Sequence, residues 1–203
     1  MPITDFLERN ARLYPGEIAL TEISPQYEPE QQVTWHEYSL IEAAEGEEYR
    51  REMTWGSFDE DANRFANLLF TRGIRRGDRV AILLMNCLEW LPIYFGILKA
   101  GCVAVPMNFR YSSDEIQYCL DLADVEVLVF GPEFVSRMDA IANDIPDVKM
   151  LFYVGKGGPA YSEPCLDLMS FCSSSAPPVA LTPEDDAAIY FSSGTTGFPK
   201  AIL

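Results

Sequence analysis

Hydrophobic and polar positions change period several times along the chain, and each change marks an element. Ile3, Phe6, Leu7, Leu13 and Tyr14 fall roughly on one helical face, and Pro15-Gly16 stops that helix before a short strand over residues 18–23. Phe58, Ala62, Phe65 and Leu69, at i, i+4, i+7 and i+11, predict an amphipathic helix ending near Gly73. Residues 75–78 read as a turn. Residues 80–85 are a continuous apolar run of strand length, the signature of a strand buried on both faces of a parallel sheet. A nearly all-apolar helix over 89–100, capped by Gly101, then feeds a strand over 102–105. Ser112 and Glu115 spell a capping box, and Ile116, Cys119, Leu120 and Ala123 form the buried stripe of the helix it starts. A strand over 125–130, a helix marked by Phe134, Met138 and Ile141, and a strand over 148–154 follow. A Gly, Pro and Ser-rich connector over 155–183 surrounds one apolar segment, 165–171, before a last strand over 186–191. This alternation predicts an α/β fold: a layered, largely parallel sheet flanked by helices, with right-handed crossovers.

One stretch breaks the pattern. Between residues 28 and 52 eight glutamates face only Arg50 and Arg51, which reads as a surface hairpin with a solvated loop around residues 44–46. An acidic docking surface is the functional alternative. Over all 203 residues, 48% hydrophobic composition supplies a core, while 31 acidic against 15 basic residues leave a formal charge of −16. That charge argues against nucleic acid and anionic membrane as partners, because both reward basic patches. The apolar region 80–106 is interrupted by Asn86, Glu89 and Lys99, so no transmembrane segment is expected. The first residues lack both a basic and an apolar leader region, which makes a cytoplasmic location the expectation.

Candidate chemistry is sparse. Cys87, Cys102, Cys119, Cys165 and Cys172 form no CxxC pair and His36 is the only histidine, which argues against a zinc site and for reduced, buried thiols. A Cys/His or Ser/His catalytic pair would have to recruit His36, around which there is no nucleophile motif. Arg76-Gly77-Asp78 spells an adhesion tripeptide but reads as a turn opening a strand. Trp90, Tyr94 and Phe95 read as core packing.

The informative segment is Ser192-Ser193-Gly194-Thr195-Thr196-Gly197-Phe198-Pro199-Lys200, directly after the last strand. Its glycines let the backbone approach a ligand, successive N–H groups can form a nest for phosphate oxygens, hydroxyls add donors, and Lys200 adds a point charge. By chemistry alone a flexible turn and a phosphate cradle both remain open. It is not a Walker A loop, because Phe198-Pro199 separates Gly197 from Lys200, and it is not a GxGxxG fingerprint. Pro199 disfavours helix at Phe198, which predicts strand, loop, strand without help from a helix dipole.

The whole string closely resembles the phosphate-binding loop of the AMP-forming, adenylate-forming enzymes: acyl-CoA synthetases, firefly luciferase and the adenylation domains of nonribosomal peptide synthetases. Residues 98–106, LKAGCVAVP, resemble that family's second core segment, residues 53–58 with the helix to Leu69 the first, and residues 73–82, GIRRGDRVAI, the turn and strand that follow. The resemblance runs from about residue 3 to residue 203, except across the acidic stretch 28–52, which looks like an insertion. Met107-Asn108-Phe109-Arg110 and Ser112-Ser113-Asp114-Glu115-Ile116 look like acyl- and aryl-CoA ligases rather than amino-acid adenylation domains, which usually carry Asp after the Val-Pro stretch.

What this resemblance implies is a ligase of fatty acid or aryl acid metabolism that binds ATP and uses magnesium. The substrate carboxylate attacks the α-phosphate of ATP, and coenzyme A then takes the acyl group from the acyl-adenylate. Ser193, Gly194, Thr195, Thr196 and Gly197 would wrap the β- and γ-phosphates, with Phe198 and Pro199 completing the segment and Lys200 offsetting charge. Ser192, often Thr in the family, would help hold Mg²⁺, and Ala201 replaces a common Gly. The adenine, ribose and acyl sites and the C-terminal domain with its catalytic lysine lie beyond this loop in the family and match nothing here. The expectation is that residues 1–203 form the N-terminal part of an AMP-binding domain, inactive alone, with no catalytic residue assigned within it and with sheet edges prone to self-association. The alternative is a noncatalytic binding or assembly module keeping the fold with a vestigial loop.

Overall fold

The predicted alternation of periods is realised in the computed structural model, which describes residues 2–24, 49–192 and 199–203. Helix α1 (Thr4–Leu13) leads into β1 (Ile18–Ser24) and β2 (Tyr49–Thr54), then α2 (Trp55–Thr71), β3 (Arg79–Leu83), α3 (Trp90–Lys99) and β4 (Val103–Pro106). Next come α4 (Ser113–Leu122), β5 (Val125–Phe130), a 3₁₀ turn (Pro132–Phe134) running into α5 (Val135–Ile141), and β6 (Met150–Tyr153). The last elements are β7 (Glu163–Pro164), α6 (Cys165–Ser170), β8 (Tyr190–Ser192) and β9 (Lys200–Ile202). The capping box is present as predicted: the Ser112 side chain accepts from the Glu115 backbone N–H, and the Glu115 carboxylate accepts from that of Ser112.

The central sheet is five-stranded, parallel throughout, in the order β4-β3-β5-β6-β7. Alternate residues of its strands feed two cores. Val80, Ile82, Val127 and Val129 pack with α2 and α3, while Ala81, Leu83, Leu128 and Phe130 pack with α4 and α5. Coverage on both faces is why these strands read as unbroken apolar runs. Gly96 lets α3 approach α2, since a Cβ there would stand 2.7 Å from the carbonyl oxygen of Ala62 and 2.9 Å from Cβ of Phe65. Among the described residues, no helix is long and apolar enough to cross a membrane.

Four details depart from, or sharpen, the periodic reading. Helix α1 buries Thr4 and Leu7 and leaves Ile3, Phe6, Leu13 and Tyr14 about half exposed. Its orientation follows from Leu7 packing with Phe58 and Ala62, and from Glu8 reaching Lys99 of α3. The last strand is shorter than predicted: residues 187–189 touch the edge of β4 by one parallel bridge, and only Tyr190–Ser192 form a strand. The connector is stapled to α2, where Asn67 Nδ2 donates to the carbonyls of Ser173 and Ser175, and Asn63 Nδ2 to that of Ser174. Trp90, Tyr94 and Phe95 form a half-buried ring cluster at the edge of the core rather than within it.

The arms of the first hairpin, β1 and β2, pair antiparallel, with residues 50–52 opposite 21–23. Residues 25–48, including the expected solvated loop at 44–46 and His36, lie outside the described residues. Arg51 on β2 donates to Glu89, Nη1 at 2.8 Å, and to Glu22, Nε at 3.0 Å, tying the hairpin to the start of α3. The Arg76-Gly77-Asp78 tripeptide is a turn engaged internally. Arg76 pairs with Asp185, Gly77 N–H donates to Gly101 O, and Asp78 accepts from the Arg75 N–H.

The Lys99 side chain is only 1% exposed. Its Nζ donates to Asp59 Oδ1 at 2.7 Å, Asn63 Oδ1 at 2.8 Å and Glu8 Oε1 at 3.0 Å, joining α3 to α2 and α1. Lys99→Ala strands the Asp59 carboxylate and empties a buried volume. The expected loss is about 2–4 kcal/mol, below the largest values for fully buried pairs because Glu8 is half exposed. The urea midpoint measures it, and an unchanged midpoint refutes the role.

All five thiols are free, and Cys102, Cys119 and Cys165 are buried. Burial pushes the Cys87, Cys102 and Cys119 thiols up from 9.0 to about 12. Unfolded thiols ionise near 9.0 while these stay protonated in the folded chain, so alkali favours the unfolded state. Their contribution to stability is complete below pH 9 and is lost between pH 9 and about 12. Urea midpoints across that range are expected to fall, and to fall less steeply when the three cysteines are replaced by alanine.

Candidate functional site

Strand β8 pairs antiparallel with β9 in the register Tyr190 with Ile202, Phe191 with Ala201 and Ser192 with Lys200. The two strands predicted on either side of the segment are present, while the segment between them lies outside the described residues. Of the nine residues in the candidate segment, Ser192, Pro199 and Lys200 are described; Ser193, Gly194, Thr195, Thr196, Gly197 and Phe198 lie outside the described residues. Ser192 ends β8 half-buried, Pro199 is buried, and Lys200 opens β9 exposed. Directly paired residues share a face of the ladder, so the Ser192 hydroxyl and the Lys200 ammonium stand on one side at the mouth of the intervening segment.

Three-residue strands do not hold a hairpin by themselves in water. This one is attached to the sheet by its approach and by one of its faces. The Ala104 N–H donates to Ala187 O at 3.0 Å and the Ile189 N–H donates to Ala104 O at 2.8 Å, placing the approach to β8 alongside β4. Phe191 turns inward and meets the ring of Tyr111 edge-on at 6.4 Å. Tyr111 precedes the Ser112 cap of α4, so the hairpin is referenced to a rigid helix start. Nothing in residue types near the segment signals these attachments; they depend on β4 having a free edge and on where α4 begins.

A hydroxyl and an ammonium on one face are donors of the kind that suits the oxygens of a phosphate chain. For a magnesium ion the Ser192 hydroxyl is a fitting hard oxygen donor, but one donor is not a cage. Among the described residues, no group of three or more His, Cys, Asp or Glu side chains is placed to hold a metal. A cavity of about 250 Å³ lies at the base of the hairpin, away from the segment, where Arg76 and Arg79 face Glu184, Asp185 and Asp186. Its opposed charges favour no anion. A second, of about 360 Å³, is bordered by Asp61, Arg64 and Glu89 together with Met53, Pro92, Leu166 and Met169. Burial raises the Asp61 carboxyl there, only partly offset by Arg64.

Relatives with recorded activities resemble the chain over most of its length. It is 32% identical over 156 residues to a medium/long-chain-fatty-acid–CoA/3-oxocholest-4-en-26-oate–CoA ligase of Mycolicibacterium smegmatis, covering 75% of this chain and 28% of that one. It is 32% identical over 169 residues to a crotonobetaine/carnitine–CoA ligase of Salmonella agona, covering 81% and 32%. The chain therefore spans about a third of the length of these relatives. Among solved structures, the anthranilate CoA ligase AuaEII, in complex with anthranoyl-AMP, superposes with a TM-score of 0.80 at 27% identity, covering all of this chain and 35% of that one. The N-terminal domain of FACL13 from Mycobacterium tuberculosis superposes at 0.74 with 26% identity, covering 98% and 43%. The match to the family described as AMP-binding enzyme extends over residues 7–203, and on that span the chain belongs to the AMP-binding enzyme family.

Proposed function

We propose that this chain is the N-terminal part of the AMP-binding domain of an ATP-dependent acid–thiol ligase, which activates a carboxylic acid as its adenylate and passes the acyl group to coenzyme A. The observation that carries the reading is the hairpin in an AMP-binding chain: SSGTTGFPK between two antiparallel strands, with Ser192 and Lys200 paired at its mouth. Fatty and aryl acids are the proposed substrate class. Relatives named for fatty acids and a sterol acid, for crotonobetaine and carnitine, and for anthranilate all point to carboxylates, and their names point to coenzyme A as acceptor.

Residues Ser193, Gly194, Thr195, Thr196 and Gly197 would supply backbone and hydroxyl donors to the β- and γ-phosphates, and Phe198-Pro199 would return the chain to β9. Lys200 would offset the charge that gathers on the pyrophosphate as its bond to the α-phosphorus breaks. Preorganised charge of this kind acts on the transition state, since the protein has little covalent chemistry to perform. When bound, Mg²⁺ would screen the phosphate oxygens, and Ser192 would be one of its oxygen ligands. The acyl and adenine pockets have no counterpart in the described residues, so residues 1–203 alone are proposed to be inactive. Residues 28–52 are proposed as an acidic insertion between the arms of the first hairpin, and the site of action as the cytoplasm.

The test is MgATP-dependent pyrophosphate release by the gene product that carries this chain, with a panel of fatty and aryl acids and coenzyme A. Release is expected to require acid. Lys200→Ala is expected to lower kcat/KM for MgATP by about 10²–10³ at unchanged stability, because the side chain is exposed. No release from the unaltered protein, or full activity in the variant, overturns the proposal. Self-association of the 203-residue chain is proposed along β9, whose three residues are exposed and end in Ile202, 56% exposed. A concentration-independent monomer in size-exclusion chromatography would sink it.

A further inference from the structure

The β8–β9 hairpin has a second face. Phe191 and Ala201 point to one side, where Phe191 meets Tyr111; Tyr190, Ser192, Lys200 and Ile202 belong to the other. On that other side the Tyr190 hydroxyl lies 3.2 Å from the hydroxyl of Tyr94, in the middle of α3. Tyr94 is braced: Trp90, one turn earlier, stacks on it at 5.4 Å and 14°, and Phe95 meets its ring edge-on at 6.0 Å. Helix α3 is in turn fixed against α2 by the close approach at Gly96 and by the Lys99 ion cluster. A rigid helix therefore offers a held phenol to the strand that ends in Ser192.

We propose that Tyr94 is a positioning residue for Ser192 and Lys200 of the β8–β9 hairpin, acting through its hydroxyl contact with Tyr190 to set the face on which they present their polar groups. The inference deepens the proposed function and rests on it for the identity of the ligand, ATP. The physical argument is geometric. Two three-residue strands do not fix a hairpin by themselves, and its other attachments are the backbone bridge at the Ala104 edge and the Tyr111 ring on the α4 side. The Tyr94 to Tyr190 contact is the tether from the opposite side, and it falls two residues before Ser192, on the same face. Burial, reinforced by the Tyr190 hydroxyl, raises the Tyr94 phenol above its usual range, so it stays protonated and able to donate at any pH where the enzyme would work.

The experiment removes the hydroxyls and keeps the rings, in Tyr94→Phe, Tyr190→Phe and the double variant. A net hydrogen bond of ordinary strength corresponds to roughly a threefold to tenfold change in an equilibrium. Hydrogen exchange on the 203-residue chain is expected to speed up by about that factor at residues 188–192 and 199–203 in each single variant. No further gain is expected in the double variant, and no change in β5 or α2. In the ligase, each variant is expected to raise KM for MgATP by a similar factor while leaving kcat and KM for the acid unchanged. Unaltered exchange in the hairpin, effects that multiply in the double variant, acceleration spread over the whole chain, or an unchanged KM for MgATP would each overturn the assignment. A gene product that releases no pyrophosphate refutes the functional reading instead, and the exchange data still decide whether the tether holds the hairpin.

Discussion

The ammonium of Lys99 is a charge removed from water, and the structure surrounding it is arranged so that this is tolerable. A buried cation needs several oxygen partners at close range, and Asp59, Asn63 and Glu8 supply them from two other helices. Those partners cannot all be satisfied unless α1, α2 and α3 sit in one relative arrangement. Helix α1, which buries little apolar surface of its own, is placed mainly by Leu7 and by this polar tether. Close approach at Gly96 permits the same arrangement from the apolar side. The helical layer over one face of the sheet is thus held in register by a directional interaction, and the apolar contacts fill around it.

From that layer the rest follows in sequence. The connections after β3 and β4 send the chain first to one side of β3 and then to the other, so the two cores form on opposite faces and β4 is left as an edge. Residues 187–189 use that edge for a single bridge, which brings the approach to β8 alongside β4 without adding a strand to the sheet. The short hairpin then takes its orientation from aromatic contacts with α3 and with the start of α4. Its segment rich in hydroxyls and glycines lies between the two short strands of that hairpin.

Much of this was legible in the sequence. Strands covered on both faces have to be apolar throughout, so β3 and β5 announced themselves as continuous runs, and the Ser112 capping box set the start of α4 by local chemistry alone. The candidate segment was readable because glycine, hydroxyl and lysine in that spacing combine with three further segments in the order of one family. The apolar period of α1 identifies a helix but not which of those residues its neighbours cover, and the structure buries Leu7 and leaves Ile3, Phe6, Leu13 and Tyr14 about half exposed. The pattern over residues 186–191 predicts a longer strand than forms, because Ala187, Ala188 and Ile189 are apolar whether they pair for one residue or for five.

Sequence by itself thus determined most of the elements, their order, the largely parallel character of the sheet and the residue content of the candidate segment, because these depend on local propensity, periodicity and residue type. Tertiary structure alone decided that Lys99, an interruption in an apolar stretch, is the buried junction of three helices. It also decided that Asn63, Arg64 and Asn67 hold the connector to α2, and that Tyr94 reaches Tyr190 across 96 positions. Such contacts join residues distant along the chain, and their polar groups are satisfied only by one packing of the helices. No pattern of neighbouring residues encodes that packing, because it is a property of the assembled layers.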